Sequence, residues 1–177
     1  NWMNGTGNDR FSPDDSLTRA MLAVILWRIE GSQDASRTVT FTDTSANAWY
    51  ADGLSWCAEK GLFAGYPNGS FGPDDAVTRE QLAIVFFRYA EKTGAVPSGQ
   101  VGHATFKNGC PWAADACDWA NEHGLFTDAI GTLDLCAPAS RAEIAYLLDQ
   151  YFPSEASPSA LTENSFDSMG YLLYTPA

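Results

Sequence analysis

Basic residues are scarce in this chain of 177 residues, because ten lysines and arginines stand against 22 aspartates and glutamates. The formal net charge is therefore −12. A surface with this excess of negative charge repels the phosphates of nucleic acids and of anionic membranes. The sequence also has no apolar run that approaches the ~18 residues of a membrane-spanning helix. We therefore expect neither nucleic-acid binding nor membrane insertion.

Motifs of catalytic and metal sites are also missing. The sequence has no G-x-S-x-G, H-E-x-x-H, P-loop or G-x-G-x-x-G pattern, and it has only two histidines. The recurring Pro-Asp-Asp lacks the ligand spacing of an EF-hand. Its carboxylates include no pair with an assignable role in glycoside hydrolysis. The sequence therefore predicts no catalytic residue, no metal site and no cofactor, and the protein is not expected to be an enzyme.

Cysteine is limited to four residues, Cys57, Cys110, Cys117 and Cys136, and none belongs to a C-x-x-C pair. Their spacing does not fit a zinc site. Four cysteines allow three fully paired disulfide patterns. Two interpretations stay open at this point. One is a local bridge such as Cys110 to Cys136 in an exported protein, and the other is a set of small buried thiols.

Internal repetition is the main feature that the sequence does contain. Residues 11–28 and 71–88 lie 60 positions apart and are identical at nine of 18 positions. A weaker third copy follows, because residues 49–56 match residues 112–119 at an offset of 63. Similarity of this extent within one chain indicates tandem repeats.

The repeats divide the chain into segments. The first copy aligns with the others only from the middle of a repeat onward, so we expect a stretch like residues 41–60 upstream of Asn1. The segments are the second half of repeat 1 (residues 1–30), repeat 2 (41–93), repeat 3 (106–152) and a C-terminal tail (153–177).

Each complete repeat is predicted to contain two helices joined by a turn-rich loop. The first helix spans roughly residues 49–59 in repeat 2, and Gly61, which is free to take a positive φ, ends it. The second helix begins after a capping residue, which is Thr18, Thr78 or Ser140. One hairpin of this size cannot bury its own apolar face. The predicted fold class is therefore all-α, with three helix-loop-helix repeats around a pseudo-threefold axis.

An arginine follows the capping residue in all three copies, as Arg19, Arg79 and Arg141. A cation at a helix start opposes the helix dipole by some tenths of a kcal/mol. The free N–H groups of a helix start attract anions. An arginine beside such donors would complete a compact site for a carboxylate or a phosphate. We therefore expect these three arginines to bind an acidic ligand.

A purely structural role for the arginines is the alternative. In that case the first two arginines pair with aspartates of their own loops and bind no ligand. Those aspartates are Asp14, Asp15, Asp74 and Asp75. Arg141 argues against this alternative, because its loop has lost both aspartates while the arginine remains.

Aromatic residues near the same loops would suit the flat faces of sugar rings. Trp49 and Trp112 stand at predicted helix starts, where a place in the core is equally consistent with the pattern. The complete set of candidate ligand-binding residues is Arg19, Arg79, Arg141, Trp49, Tyr50, Tyr66, Asn68, Gly69 and Trp112.

Repeat 2 resembles the S-layer homology domain. The repeat of that family contains F-x-D, then A-W-Y-A-D, then G-Y-x-(D/N)-G-(T/S)-F-x-P-x-D-x-(V/I)-T-R. The matching stretches are residues 41–43, 48–52, 65–71 and 73–81. With the partial matches of the other two copies, the resemblance covers roughly residues 1–152. Repeat 3 departs from it, since it lacks the G-Y-x-D-G-T-F loop.

The resemblance implies a fold and a function. The implied fold is a three-pronged spindle, and the implied function is non-covalent anchoring of an exported protein to the bacterial cell wall. This chain would be the anchoring end of a larger surface protein, whose upstream part is its cargo. The implied location is extracellular, at the cell wall or S-layer.

The resemblance also implies a ligand. In this family the ligand is commonly a secondary cell-wall polysaccharide that carries a pyruvate ketal, and some members bind peptidoglycan. The arginine of the family's T-R-A-E motif falls on Arg19, Arg79 and Arg141. The alternative function is a structural or assembly module that mediates protein–protein contacts without binding a glycan.

Overall fold

The computed structural model describes residues 2–36, 38–96, 104–126 and 132–152, so the predicted tail lies outside the described residues. The described part is mostly helical. Its elements are α1 (Arg19–Ile29), α2 (Ala51–Glu59), α3 (Arg79–Thr93), β1 (Thr105–Lys107), a short 3-10 helix (Pro111–Ala113), α4 (Ala114–Glu122), β2 (Thr132–Asp134) and α5 (Arg141–Tyr151). None of the described helices combines the length and the apolar character that crossing a membrane requires.

The helix boundaries follow the predicted capping residues. The side chains of Thr18, Thr78 and Ser140 accept a hydrogen bond from the backbone N–H three positions later, at the starts of α1, α3 and α5. The caps of α3 and α5 are complete capping boxes. Gly61 and Gly124 follow α2 and α4 with φ values of 66° and 74°. Local sequence signals therefore fix where most of these helices begin and end.

The segments that precede α1, α3 and α5 meet at the centre of the fold. The N–H of Leu17 donates to the carbonyl of Ala139 at 3.0 Å, that of Val77 to Leu17 at 2.8 Å, and that of Ala139 to Val77 at 2.8 Å. All three residues are fully buried. The three bonds form a closed cycle in which each repeat contacts the other two, as a pseudo-threefold relation requires. The three-pronged shape of the whole molecule stays a prediction.

Helices of successive repeats pack against each other. Helix α2 of repeat 2 packs on α1 of repeat 1, and α4 of repeat 3 packs on α3 of repeat 2. Gly53 permits the first of these contacts, because a Cβ atom at this position would stand 3.0 Å from the Cα of Val24. Surfaces between α1 and α2, and between α3 and α4, therefore combine residues of two repeats.

The buried core includes apolar residues from all five described α-helices. Leu54, Trp56 and Cys57 of α2 are buried. Trp49, which was also a candidate core residue, is 63% exposed. It lies just before α2, which begins at Ala51. Its indole is therefore available to a ligand.

A small parallel sheet corrects the all-α prediction. Strands β1 and β2 pair in parallel, with Phe106 opposite Leu133. The equivalent residues of repeat 2 are Phe41 and Phe71, whose ring centroids lie 5.4 Å apart, but the chain around them forms no strand. Each strand spans three residues, which is too short for a period-two hydrophobic pattern to predict.

Candidate ligand-binding grooves

Three grooves lie at equivalent positions of the three repeats. We name grooves 1, 2 and 3 after the repeat whose second helix, α1, α3 or α5, forms one wall. Another wall contains the arginine after the helix cap of a different repeat. This residue is Arg141 in groove 1, Arg19 in groove 2 and Arg79 in groove 3. Their volumes are about 270 Å³ for groove 1, about 270 Å³ for groove 2 and about 430 Å³ for groove 3.

Groove 2 combines residues of all three repeats. It is lined by Arg19 of repeat 1, by residues 62–66 and helix α3 of repeat 2, and by Trp112 of repeat 3. The Nε of Arg19 donates to the carbonyl of Phe71 at 2.8 Å, and its Nη2 donates to the carbonyl of Ala64 at 2.9 Å. These bonds use two of the five N–H donors of the guanidinium. The remaining donors are the candidates for binding a ligand.

Aromatic rings surround the Arg19 guanidinium. Its central carbon lies 5.2 Å from the ring centroid of Phe63, 4.7 Å from that of Tyr66 and 4.6 Å from that of Phe71. Burial lowers the pKa of Arg19 from its ordinary value, and the nearby Tyr66 and Asp75 oppose this shift. An arginine keeps its charge in proteins. Groove 2 therefore contains a permanent cation that is held against aromatic faces.

Groove 1 has the same construction. It is lined by Arg141 of repeat 3, by residues 2–6 and helix α1 of repeat 1, and by Trp49 of repeat 2. The Nε of Arg141 donates to the carbonyl of Phe11 at 2.8 Å, and its Nη2 donates to the carbonyl of Asn4 at 2.7 Å. The Phe11 ring centroid lies 4.9 Å from the guanidinium carbon. Grooves 1 and 2 therefore place their arginines in the same way.

Groove 3 differs because its arginine is already paired. The Nε of Arg79 donates to Oε1 of Glu143 at 2.6 Å, and Nη1 donates to the carbonyl of Asp134 at 3.3 Å. The residues equivalent to Glu143 are Met21 in groove 1 and Gln81 in groove 2. Among the described residues that line groove 3 there is also no tryptophan.

A second arginine lines grooves 1 and 2. Arg28 donates from Nη1 to the carbonyl of Trp2 at 3.4 Å, and Arg88 donates from Nη1 to the carbonyl of Leu62 at 3.3 Å. Both arginines line their grooves, whereas α5 carries Gln150 at the equivalent position. Among the described lining residues, grooves 1 and 2 thus each have two arginines and no carboxylate. Groove 3 has one arginine and one glutamate among its described lining residues.

The backbone at the helix starts is not available to an anion. The N–H of Arg19 donates to the carbonyl of Asp75 at 3.0 Å, and that of Ala20 donates to the carbonyl of Pro73 at 3.0 Å. The equivalent N–H groups of α3 and α5 bind backbone carbonyls in the same way. The expectation that free N–H groups of the helix starts attract the ligand is therefore wrong, and donors to an anion must come from side chains such as the guanidinium groups.

The alternative in which the arginines pair with aspartates of their own loops is also wrong. Within the described residues, Arg79 forms its ion pair with Glu143 of repeat 3. The described part of the chain gives Arg19 and Arg141 no carboxylate oxygen within 4.0 Å. Backbone carbonyls of neighbouring repeats bind these two arginines instead, and carbonyls carry no net charge. Their positive charge is therefore not cancelled by a direct partner.

The other predicted site residues fall into two groups. The residues that line a groove are Arg19, Arg79, Arg141, Trp49, Tyr66 and Trp112. Tyr50 packs edge-on against Trp49, with ring centroids 5.4 Å apart, and does not line a groove. Asn68 accepts hydrogen bonds from the N–H and the hydroxyl of Ser70, and Gly69 has a φ of 83°, so both shape the turn rather than line a groove.

Asp43 holds the loop that presents the carbonyl of Phe71 to Arg19. Its carboxylate accepts the N–H of Phe71 and the N–H of Gly72 at 2.7 Å each. These bonds, that of Phe71 first, lower the pKa of Asp43 below its ordinary value. Repeat 3 has Asn108 at the equivalent position, and its amide donates to Asp134 instead.

Comparisons with known proteins agree with this architecture. Residues 40–83 match the profile of the S-layer homology domain. The chain is 33% identical over 102 residues to a cellulosome-anchoring protein of Acetivibrio thermocellus, which covers 55% of this chain and 23% of that protein. It is 27% identical over 150 residues to the surface-layer 125 kDa protein of Lysinibacillus sphaericus, covering 82% of this chain and 12% of that protein.

A third relative is named as an enzyme. The chain is 35% identical over 99 residues to an endoglucanase of a Bacillus species, covering 54% of this chain and 10% of that protein. The chain thus spans less than a quarter of the length of each of these three relatives. The profile match includes α2, the loop that follows it and the first turn of α3. Residues 40–83 are therefore similar to the S-layer homology domain, as the repeat motif predicts.

Proposed function

We propose that this chain anchors an exported bacterial surface protein to the cell wall, without a covalent bond, by binding an anionic saccharide in grooves 1 and 2. The S-layer homology match and the names of the relatives support cell-surface anchoring as the class of function. The proposed location is extracellular, at the cell wall or S-layer, and the proposed cargo is another part of the same surface protein. The role is binding rather than catalysis.

The charge of the two grooves is the observation that carries this proposal. Among the described residues, each groove is lined by two arginines and no carboxylate, on a chain whose formal net charge is −12. An exposed tryptophan stands beside each pair of arginines, since Trp49 and Trp112 are each 63% exposed. A guanidinium binds carboxylates through strong charge-assisted hydrogen bonds. An aromatic face beside a cation suits a ligand that is both a sugar and an anion.

A polysaccharide that carries a pyruvate ketal fits these requirements, and peptidoglycan is the other wall ligand to consider. A pyruvate ketal fixes a carboxylate directly on a sugar ring, so that one unit offers an anion to Arg19 or Arg141 and a ring face to the tryptophan. A volume of about 270 Å³ is at the small end of ligand pockets, and it suits a short stretch of the chain. Each charge-assisted bond is worth roughly 1.5–3 kcal/mol.

A structural module is the second candidate function, and one observation favours it. Arg19 and Arg141 each already bind two backbone carbonyls of a neighbouring repeat. In this case the arginines hold the repeats together, the grooves stay empty, and the chain mediates protein–protein contacts. The two candidates differ in one property, which is affinity for a protein-free cell wall that retains its polysaccharide.

Co-sedimentation with purified cell-wall sacculi tests the proposal. The native chain should sediment with sacculi that retain their polysaccharide, and it should stay in solution when the polysaccharide or its ketal has been removed. The double variant Arg28→Gln with Arg88→Gln should bind at least tenfold more weakly, because each groove loses one cation.

The matched control is the double variant Lys60→Gln with Lys92→Gln. It removes the same charge from exposed residues outside grooves 1 and 2 and should bind normally. Equal weakening of both double variants would mean that overall charge rather than the grooves controls binding. Failure of the native chain to bind polysaccharide-bearing sacculi would favour the structural module.

A further inference from the structure

Two cysteines of repeat 3 and one glutamate of repeat 2 meet at the end of the small sheet. The Sγ atoms of Cys110 and Cys136 and a carboxylate oxygen of Glu80 all lie within 4.8 Å of one another. Cys110 precedes the 3-10 helix, and Cys136 lies in the turn between β2 and α5. The residues are far apart in the sequence, so only the fold brings them together.

The backbone around the two cysteines is tightly paired. Strands β1 and β2 end at Lys107 and Asp134, directly before the two cysteine-containing turns. The N–H of Leu135 donates to the carbonyl of Lys107 at 3.1 Å, which continues the pairing by one more residue. Beside Cys110, Gly109 allows a close approach, because a Cβ atom there would stand 2.7 Å from Cδ1 of Leu135. The sheet therefore holds the two cysteine-containing turns side by side.

Hydrogen bonds also fix both cysteines individually. The N–H of Cys110 donates to Oε2 of Glu80 at 3.0 Å, and Glu80 is buried. The N–H of Cys136 donates to Oδ1 of Asp134 at 3.1 Å, and its thiol donates to the carbonyl of Asn108. Each cysteine is thus held in a defined position before any bond forms between them.

The two cysteines replace contacts that repeat 3 has lost. Cys136 occupies the position of Asp74 in repeat 2, and Cys110 lies two residues before Trp112, which matches Trp49. In repeat 2 the loop is held by Asp43, which accepts two backbone N–H groups, whereas Asn108 takes that position in repeat 3 and donates to a side chain instead. A covalent bond at this point would tie the same two segments that Asp43 ties in repeat 2.

We propose that Cys110 and Cys136 form a disulfide bond in the exported protein. The inference uses the proposed function in one respect, since an extracellular location supplies the oxidising conditions. A small-molecule disulfide is the oxidant. Cys136 is exposed, and its thiolate attacks one sulfur atom of the small-molecule disulfide and releases one small thiol. The thiolate of Cys110 then attacks the Cys136 sulfur of this mixed disulfide and releases the second small thiol. Two protein thiols are oxidised and one small disulfide is reduced to two thiols.

The cluster suits a disulfide better than a structural metal site. A structural zinc site takes four protein ligands, and within the described residues this cluster offers three. One of them, the carboxylate of Glu80, already accepts the N–H of Cys110. Cys57 and Cys117 are not part of the cluster, and both are buried thiols. Burial raises the pKa of Cys117 to about 11, so this thiol reacts slowly.

Oxidation of the purified chain with oxidised glutathione tests the proposal. Thiol titration under denaturing conditions should fall from four reactive thiols to two, and peptide mapping should link Cys110 to Cys136. The bond should raise the thermal midpoint by about 5–10 °C, and reductant should reverse the increase. Cys136→Ser and Cys110→Ser should each remain folded and show no increase.

Three results would overturn the disulfide. The first is that four free thiols remain after oxidation of the folded chain. The second is a disulfide link that involves Cys57 or Cys117. The third is that zinc ions, rather than oxidation, raise the thermal midpoint and protect the Cys110 and Cys136 thiols. The oxidation experiment contains no cell wall. Its failure is therefore distinct from a failure of sacculus binding, which tests the anchoring function alone.

Discussion

Groove 2 and groove 3 share a scaffold but differ in chemistry. Both have an arginine after a helix cap, and the backbone ring binds all three repeats in the same way. In groove 2 the arginine faces Gln81 and is accompanied by Arg88, whereas in groove 3 it pairs with Glu143 and the second position is Gln150. Two positions per repeat thus decide the charge of each groove's described lining, on second helices that begin in the same way.

The comparison separates two roles of the same arginine. In all three grooves the guanidinium binds carbonyls of the neighbouring repeat, so this role belongs to the fold. The capacity to bind an anion depends on the residues around it. An arginine at this position is therefore not by itself evidence of a functional site. The charges of the other residues that line the groove must also be considered.

The largest expected effect comes from giving grooves 1 and 2 the carboxylate of groove 3. The double variant Met21→Glu with Gln81→Glu should bind the wall polysaccharide at least 100-fold more weakly, because each new carboxylate pairs with an arginine as Glu143 does. Met21 is well placed for this, since its sulfur lies 3.9 Å from Nη1 of Arg141. Titration followed by tryptophan fluorescence measures the loss.

The matched control for this variant is Met21→Gln, which copies groove 2 and should keep binding. Undiminished binding by the double glutamate variant, with an unchanged thermal midpoint, would contradict the view that unpaired arginines capture the ligand.

A smaller effect is expected from the exposed tryptophans, which groove 3 lacks among its described lining residues. Trp112→Ala should weaken binding in groove 2 by about tenfold and leave the free energy of unfolding within about 0.5 kcal/mol of the native value. Trp56→Ala is the contrasting control. Because Trp56 is 3% exposed, its removal should cost about 3–5 kcal/mol of stability. Chemical denaturation and ligand titration of both variants separate the two roles, and a Trp112 variant that binds normally would remove the tryptophan from the site.

A gain of binding should follow when groove 3 is given the chemistry of groove 2. The double variant Glu143→Gln with Gln150→Arg removes the carboxylate and adds the second arginine. It should create one additional, weaker site, detected as a higher ligand-to-protein ratio at saturation. The glutamine keeps the cap of α5 in the form that Gln81 has in α3. An unchanged ratio in the folded variant would show that the charge of the lining is not what distinguishes the grooves.

The smallest effect concerns the loops that support the grooves. Asp43→Asn copies repeat 3 and should lower stability near neutral pH, because the folded protein holds the pKa of Asp43 below its ordinary value of 3.8. A depressed pKa contributes stability that is present above the ordinary pKa and is lost as the pH falls through the lower folded value. Urea unfolding should therefore show a difference at pH 7 that shrinks as the pH falls below the ordinary pKa of Asp43. A difference that is constant over this range would exclude the charge of Asp43 as its cause.

Local features of the fold could be predicted from the sequence because they depend on neighbouring residues. Helix starts are predicted by the capping side chains of Thr18, Thr78 and Ser140, and a helix end is predicted by Gly61. The repeat itself follows from residue identity alone. The parallel pair of β1 and β2 could not be predicted, since it depends on contacts between segments that lie more than 20 residues apart.

The grooves were only partly predictable. The sequence identified Arg19 and the exposed tryptophans, but not the carbonyls that bind Arg19, because every residue carries a carbonyl and only the fold selects one. Arg88 was visible as an identity between repeats 1 and 2, yet an arginine on a helix surface is ordinary and gives no signal of a site. Glu143 completes the capping box of α5, and its bond to Arg79 of another repeat appears only in three dimensions.

Isothermal titration of the purified chain with a short pyruvylated wall saccharide tests the central claim most directly. We expect two ligands per chain, one in each groove that holds two arginines and no carboxylate, and Arg88→Gln should weaken one of the two sites selectively. Three equivalent sites, or no binding to a folded chain, would contradict the account, because groove 3 would then be no different from the other two.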